Sequence, residues 1–564
     1  MKTIAKISVV LVLSVLCSFG LADELYVPGQ YPTIQAAINA AVTGDTVLVA
    51  DGTYTGPGNR DINFLGKAIT VRSQSGPENC IIDCNAGRWD QHRGFSFTNN
   101  EDGNSVLEGF TITNGHAEFS GAAIHCQNSS PIITSCIIKG NVSYDGGAVV
   151  CYWSSAVVTN CTIVENTDKG IVCFGGTIIT NCIINKNTNN GIWCYEDTTI
   201  GNCTISENED DGISCADTTV SSCTVTGNRA AGIWCKGNVT IKNCVISENN
   251  RGGVVFYGSN SKIIDSLITR NRSWSGAGIR CGYKRRITVA NCTISDNTAQ
   301  EKGGAIFCEG STLLVSDCIL WGDTAPIGSE ICIIGNWYWP SSVSAWYNNV
   351  QGGEKDVYVG SYSTLNWGEG NIDADPCFVL PGYWADANDP NIIVEPNDPN
   401  AVWIEGDYHL LPASPCIDTG DPNYIPSPNE TDLDGNPRVI GDAVDMGAYE
   451  SNYIKVEMNF IPKTVNCNSK GNWVKAHITL PDEFLPEDVD VNTPAWAEPI
   501  DLESEYIKVL GSHKGPVKLE IAFDRQAFCD AITEPGQLEV TIIGSLTTGQ
   551  NFYATDSIKI IPQR

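Results

Sequence analysis

The sequence predicts an all-β protein built mainly as a solenoid of short stacked strands, and three observations carry that expectation. From Glu108 to Asp323 a pattern ending in Ile-x-x-Asn returns as NCTI, NCII, SCTV and NCVI, and one column of it holds Asn114, Asn141, Asn166, Asn187, Asn208, Asn228, Asn249, Asn271, Asn297 and Asp323. The steps along this column are 27, 25, 21, 21, 20, 21, 22, 26 and 26 residues, the spacing of one small supersecondary unit stacked on its copies. Inside a repeat, apolar residues alternate with period 2: Ile192 and Cys194 share a face that Trp193 opposes, and Cys203 and Ile205 share one that Thr204 opposes. Three short strands per coil, turned at Glu196-Asp197, at Gly201-Asn202 and near Asn190, leave no room for a helix. Each strand can then pair only with its counterpart one coil above and below, which makes a parallel β-helix.

The chain has 564 residues, too many for one compact core, so more than one folding unit is expected. Residues 1–22 read as a secretory signal: Lys2 and Lys6, the apolar run from Ile7 to Leu16, then Gly20-Leu21-Ala22 as a small-x-small cleavage site. Secretion to the extracellular space or cell surface follows, and no later stretch is apolar for the ~20 residues a membrane span needs. A net charge of -31 argues against a nucleic-acid partner, because phosphate binding needs a basic face. An anionic polysaccharide is repelled as well unless a cation bridges it, so neutral glycans suit the charge better.

Two further columns hold cysteines. Cys126, Cys151, Cys173, Cys194, Cys215, Cys235, Phe256, Cys281 and Cys308 end the Gly-Ile strand, and Cys136, Cys161, Cys182, Cys203, Cys223, Cys244, Ser266, Cys292 and Cys318 lie on another. One cysteine per strand among Ile and Val predicts buried thiols acting as small apolar groups, with a disulfide framework as the alternative. The absence of C-x-x-C spacing speaks against a metal centre in these columns. Asn160, Asn181, Asn202, Asn243 and Asn291 precede strand cysteines where the chain must bend; asparagine tolerates the left-handed conformation, and amide stacking is expected along the column.

This repeat resembles the right-handed parallel β-helix superfamily that includes pectate lyases and polygalacturonases. Two further segments share the resemblance. YPTIQAAINAAVTGDTVLVADGTY is similar to the family's N-terminal cap, with Pro32 opening a helix whose apolar stripe is Ile34, Ala37, Ile38 and Ala41. ADPCFV, DYHLLPASPCIDTGDP and DLDGNPRVIGDAVDMGAYE look like the closing segment of large exported bacterial β-helix proteins. The implied organisation is a cap with first coils at 23–108, repeats at 109–370 and a closing segment at 371–452. Residues 453–564 carry alternating runs such as Trp473 to Leu480 and Leu538 to Ile543, which read as a small β-sandwich in which Cys467 and Cys529 can pair. The superfamily hosts lyases, hydrolases, adhesins and inert surface proteins, so the resemblance specifies fold rather than activity.

The distance from each column Asn to the small residue opening the next strand runs 9, 7, 4, 4, 4, 4, 4, 7 and 8 residues. Long loops at both ends and short ones between predict a trough over residues 166–253. Expected on its strand face are Trp193 and Trp234, with Trp153, Phe174 and Tyr195 just beyond, flat rings suited to sugar faces. Its floor is expected to carry Asp168, Lys169, Asp210, Asp211, Arg229 and Arg251. Two coil rises bring Asp168 and Asp210 near the upper end of the ~6.5–9.5 Å carboxyl spacing of inverting glycosidases. NTDKG and EDDG are similar to polygalacturonase motifs but lie two coils apart, and the Gly-His-Gly and Arg-x-Lys motifs are missing. Asp432, Asp434 and Asn436 are spaced like the opening ligands of a Ca2+ loop, although Gly435 and the missing Glu twelve residues along rule out an EF-hand; a turn motif is the alternative. Two function classes follow: a secreted or surface β-helix protein that binds a polysaccharide or surface glycan without catalysis, as adhesin or spacer, and a polysaccharide lyase or glycoside hydrolase acting in the trough.

Overall fold

A computed structural model describes residues 22–258, 260–282, 286–394, 400–469, 471–482, 484–510, 516–532 and 535–561. The secretory signal read at 1–22 falls almost wholly outside the described residues. The chain divides into two compact units, one made by residues up to Ala345 with Val350–Gly368, the other by Trp346–Asn349 and the chain from Glu369 onward. Among the described residues no helix is long and apolar enough to cross a membrane.

The first unit is the predicted solenoid. Its strands form three parallel sheets of 15, 14 and 13 strands, and each coil gives one strand to each sheet. The register is exact through the short coils: Ile171 pairs with Ile192, Ile213, Ile233, Val254 and Ile279 in turn. The inward residues of the three sheets are mostly β-branched or Cys, with Phe95, Phe97, Leu107, Phe256, Leu313 and Leu320 among them, and all are buried in one continuous core. A left-handed residue at each corner turns the chain; Asn160, Asn181, Asn202, Asn243 and Asn291 serve one corner, Glu165, Lys186, Glu207 and Glu248 another. The first edge carries the predicted helix, Ile34–Ala40, which buries Ile34, Ala37 and Ile38. It starts at Ile34 rather than at Pro32: Thr33 is the N-cap, its hydroxyl accepting from the N–H of Ala36.

One buried column gives the solenoid its internal polar spine. The Nδ2 of Asn141 donates to Oδ1 of Asn166 at 3.0 Å, and the same bond repeats through Asn187, Asn208, Asn228, Asn249, Asn271 and Asn297 to Asp323. Each Oδ1 also accepts the backbone N–H of the preceding rung, and each Nδ2 reaches a carbonyl such as Ile163 O or Ile184 O. Each amide of this column is thereby satisfied, which an interior position demands.

Two column assignments need correction. Asn114 is exposed with φ 56° and is no rung: it occupies the corner position of Gly140 and Glu165. Gly115 is the true start, its N–H donating to Asn141 Oδ1 at 2.9 Å, so the first step is 26 residues rather than 27 because the loop is one residue out of phase. The amide stacking expected at Asn160, Asn181 and Asn202 belongs instead to the Asn141 column; those three side chains face solvent and serve the bend.

Both cysteine columns are buried free thiols. In the Cys136 column the Sγ of Cys161, Cys182, Cys203 and Cys244 each donates to the carbonyl two residues earlier at 3.2 Å. Ser266 makes the same bond at 2.7 Å, so a hydroxyl replaces the thiol with no change of partner. Phe256 stands in register between Cys235 and Cys281.

In the second unit, a six-stranded and a four-stranded, largely antiparallel sheet face each other over one core. Phe460, Val474, Ile521 and Phe523 come from one sheet and Val540, Ile542, Phe552 and Ile558 from the other. Cys467 and Cys529 form a disulfide.

Candidate functional site

The residues expected to line a trough lie on and beside the 14-stranded sheet. The strands Ile192–Tyr195, Ile213–Ala216, Ile233–Cys235 and Val254–Phe256 are short because their loops are short. At either end the longer loops become strand themselves. Val142–Tyr152 runs 11 residues on one side, and Arg272–Ser275 pairs with Thr298–Lys302 on the other.

Along this sheet the outward file runs His125, Val150, Val172, Trp193, Ser214, Trp234, Val255, Arg280 and Phe307 in unbroken register. Two residues further along each strand, a second file holds Tyr152, Phe174 and Tyr195. Phe174 and Tyr195 stack at 5.5 Å with 12° between planes, and Tyr152 leans on Phe174 at 5.3 Å. Trp193 sets its edge against both Phe174 and Tyr195, at 5.3 and 5.1 Å. Trp234 lies 5.6 Å from Tyr257. Two lysines fasten the row: Lys169 Nζ sits 5.5 Å over Trp193, and Lys236 Nζ lies over Trp234 and Tyr195 and bonds the Tyr195 hydroxyl at 3.1 Å. All six rings are half-buried, so each keeps part of its surface open. Tyr152, Tyr257 and Lys236 were missed from the sequence. The signal was there: each directly follows the inward Cys or Phe of its strand, as Phe174 and Tyr195 do, whereas Trp153 is a left-handed corner residue outside the file.

The charged candidates divide by their partners. Asp168 is buried with φ 81°; its Oδ2 accepts the N–H of Gly146 at 3.0 Å and its Oδ1 accepts from Asn189 Nδ2 at 2.8 Å and Lys169 Nζ at 3.2 Å. It braces three coils. Lys169 also faces Asp145 at 3.6 Å. Asp211 is buried and accepts the N–H of Ala231 at 3.0 Å; burial, then the charge of Asp210, push its carboxyl up to about 7. Asp210 is half-buried, Arg251 is exposed, and Arg229 is exposed and paired with Glu209.

The side chains read as Ca2+ ligands, Asp432, Asp434 and Asn436, are engaged with other groups. Asp432 is fully buried, its Oδ1 accepting the N–H groups of Asp434 and Asn436 and its Oδ2 those of Glu450 and the Asn436 side chain. Asp434 is bonded to His409 Nε2 at 2.7 Å. These carboxylates are committed to N–H donors, so the donor set does not fit calcium; the segment is a turn held by Arg438, buried against Glu450 at 2.7 Å. Among the described residues no group of three or more His, Cys, Asp or Glu side chains is arranged to hold a metal.

A stack of three parallel sheets closed around one core defines the class: a right-handed parallel β-helix protein. The chain belongs to this superfamily, and the family model described as "Right handed beta helix region" matches residues 50–200 and 195–328. Among solved structures it is similar to the A-module of the Azotobacter vinelandii mannuronan C-5 epimerase AlgE6 (16% identity, 61% of this chain and 94% of that one, TM-score 0.36). It is also similar to pectate lyase Pel9A (15% identity, 77% and 97%, TM-score 0.33) and to the catalytic domain of a GH87 alpha-1,3-glucanase in complex with nigerose (12% identity, 62% and 69%, TM-score 0.33). A search of the curated proteins found no match.

Proposed function

We propose that this is an exported carbohydrate-binding β-helix protein whose aromatic row receives a glycan chain and which performs no chemistry on it. The observation that carries this reading is the row itself: Tyr152, Phe174 and Tyr195 in one file, Trp193 and Trp234 in the next, with ring planes fixed by one another and by Lys169 and Lys236. Strand rungs lie ~4.8 Å apart, so Trp193 and Trp234, two rungs apart, are ~10 Å apart, close to a disaccharide repeat along an extended chain. Rigid rings with an open face bind sugar rings at low entropic cost. Asp168 supports the non-catalytic reading, because its carboxyl oxygens are held by the N–H of Gly146, the Nδ2 of Asn189 and the Nζ of Lys169.

The experiment is a glycan array on the whole protein beside Trp193→Ala and Trp234→Ala. Binding by the parent and at least tenfold weakening in both variants is expected; equal binding by all three removes the proposal. One observation favours a second reading, a lyase or hydrolase: burial, then the charge of Asp210, push the Asp211 carboxyl up to about 7, within the range a general acid or base uses. Reducing-end or unsaturated-product release that Asp211→Asn abolishes would establish that reading instead.

A further inference from the structure

The amide spine ends at a pair of acids. Asp323 fills the rung after Asn297 and accepts both its N–H and its Nδ2 at 2.8 Å through Oδ1 alone. Glu330, at the far end of the same loop, accepts the Asp323 N–H at 3.3 Å through Oε1. The other oxygens, Oδ2 of Asp323 and Oε2 of Glu330, have no donor from the rest of the protein although the residues are only 3% and 4% exposed, and the two carboxyls bond to each other when one holds a proton. Both residues line a cavity of about 790 Å³ within the first unit, together with Thr324, Gln351, Lys355, Asp356 and Tyr358.

Two carboxyl oxygens beside a cavity, with no donor from the rest of the protein, ask for hydrogen-bond donors that carry positive charge. A metal ion is the poorer candidate: calcium wants six to eight oxygen ligands, and no metal-holding group of three acidic, His or Cys side chains exists among the described residues. A primary ammonium needs less, since its three N–H donors are met by two carboxyl oxygens and one hydroxyl or amide oxygen. The volume fits a sugar unit, and the half-open ring of Tyr358 offers it a face. The chain's charge of -31 attracts a cationic ligand from a distance.

We propose that the Asp323–Glu330 cavity binds the free amino group of an amino sugar, as found in a de-N-acetylated glycan. Burial holds both carboxyls above the usual carboxylate range, Glu330 further raised by the Asp323 charge, so the empty pair keeps a proton that an ammonium group displaces.

Isothermal titration of the whole protein with a glucosamine tetramer tests this, with the fully N-acetylated tetramer, a glucose tetramer and calcium chloride as the other arms. The glucosamine tetramer is expected to bind with proton release, seen as a heat that varies with the ionisation enthalpy of the buffer. The N-acetylated and glucose tetramers should bind at least tenfold more weakly. Asp323→Asn gives the last rung the same amide as the rungs before it and preserves the spine, and with Glu330→Gln it should lose that preference. Asn114→Gly, at an exposed corner outside both sites, should retain it. Equal binding of the amino and N-acetyl tetramers, a preference that survives both substitutions, or calcium competing for the same carboxyls would each overturn the assignment.

Discussion

Removing one amide from the spine should cost far more than removing an asparagine that looks identical in the sequence. In Asn208→Ala four hydrogen bonds disappear: Oδ1 of Asn208 accepts the N–H and the Nδ2 of Asn187 at 3.1 and 3.0 Å, and its Nδ2 donates to Asn228 Oδ1 at 3.0 Å and Ile184 O at 3.2 Å. At about 1 kcal/mol net for each, the bonds account for about 4 kcal/mol. The Asn187 N–H is left without that acceptor in a buried position, which adds about 1 kcal/mol or more and brings the total to about 5 kcal/mol. Because a solenoid couples mainly nearest neighbours, the damage should concentrate in the coils of Asn187, Asn208 and Asn228. The control is Asn114→Gly, which removes one exposed bond to Asp83 and keeps the left-handed corner, at a cost below about 1 kcal/mol. Urea unfolding by far-UV circular dichroism and hydrogen exchange of residues 185–230 measure both. If Asn208→Ala lowers stability no more than Asn114→Gly, the hydrogen-bond reasoning fails.

Three other outcomes are expected. Asp211 has a folded-state carboxyl pushed up to about 7 against 3.8 for the free group, so the folded protein holds a proton that the unfolded chain releases first, and stability falls as pH rises from about 4 through about 7. Asp211→Asn should therefore match the parent at pH 4 and exceed it at pH 8, by at most about 4 kcal/mol from the size of that shift; parallel melting curves at both pH values would contradict this. Arg438→Met leaves the Glu450 carboxyl buried without its partner and should destabilise the second unit by about 3–5 kcal/mol, read by urea unfolding, with a neutral result excluding a structural role for the pair. Cys467→Ser with Cys529→Ser opens a loop closed across a separation of 62 residues, worth about 4 kcal/mol in chain entropy, and calorimetry should show a lower transition for the sandwich alone.

The repeat made the solenoid legible because a period near 21 residues admits one stacking arrangement: Ile192, Cys194, Cys203 and Ile205 are inward in the structure as period 2 required. The outward file from His125 to Phe307 was readable for the same reason, since in-register parallel strands preserve column order. The disulfide alternative for the cysteines stood open in the sequence, and packing decided it: the thiols of the Cys136 column are spent on carbonyls of their own strand.

Spacing fixes which residues share a coil, but phase and partner choice depend on loop paths and on neighbours far away in sequence. Asn114 and Asn141 look alike in the repeat; the loop's extra residue makes one a solvent-facing corner and the other a buried rung. Asp168 and Asp211 both read as groove carboxyls, and only the folded chain brings Gly146 and Asn189 to the first while leaving the second buried beside Asp210. Asp323 differs from the asparagines of its column by one atom, and what that atom does is set by Glu330 and the cavity beside them. Period and alternation are properties of the chain and determine the architecture; hydrogen-bond partners and burial are properties of the packed coils, so the protonation and role of each polar side chain were decided there.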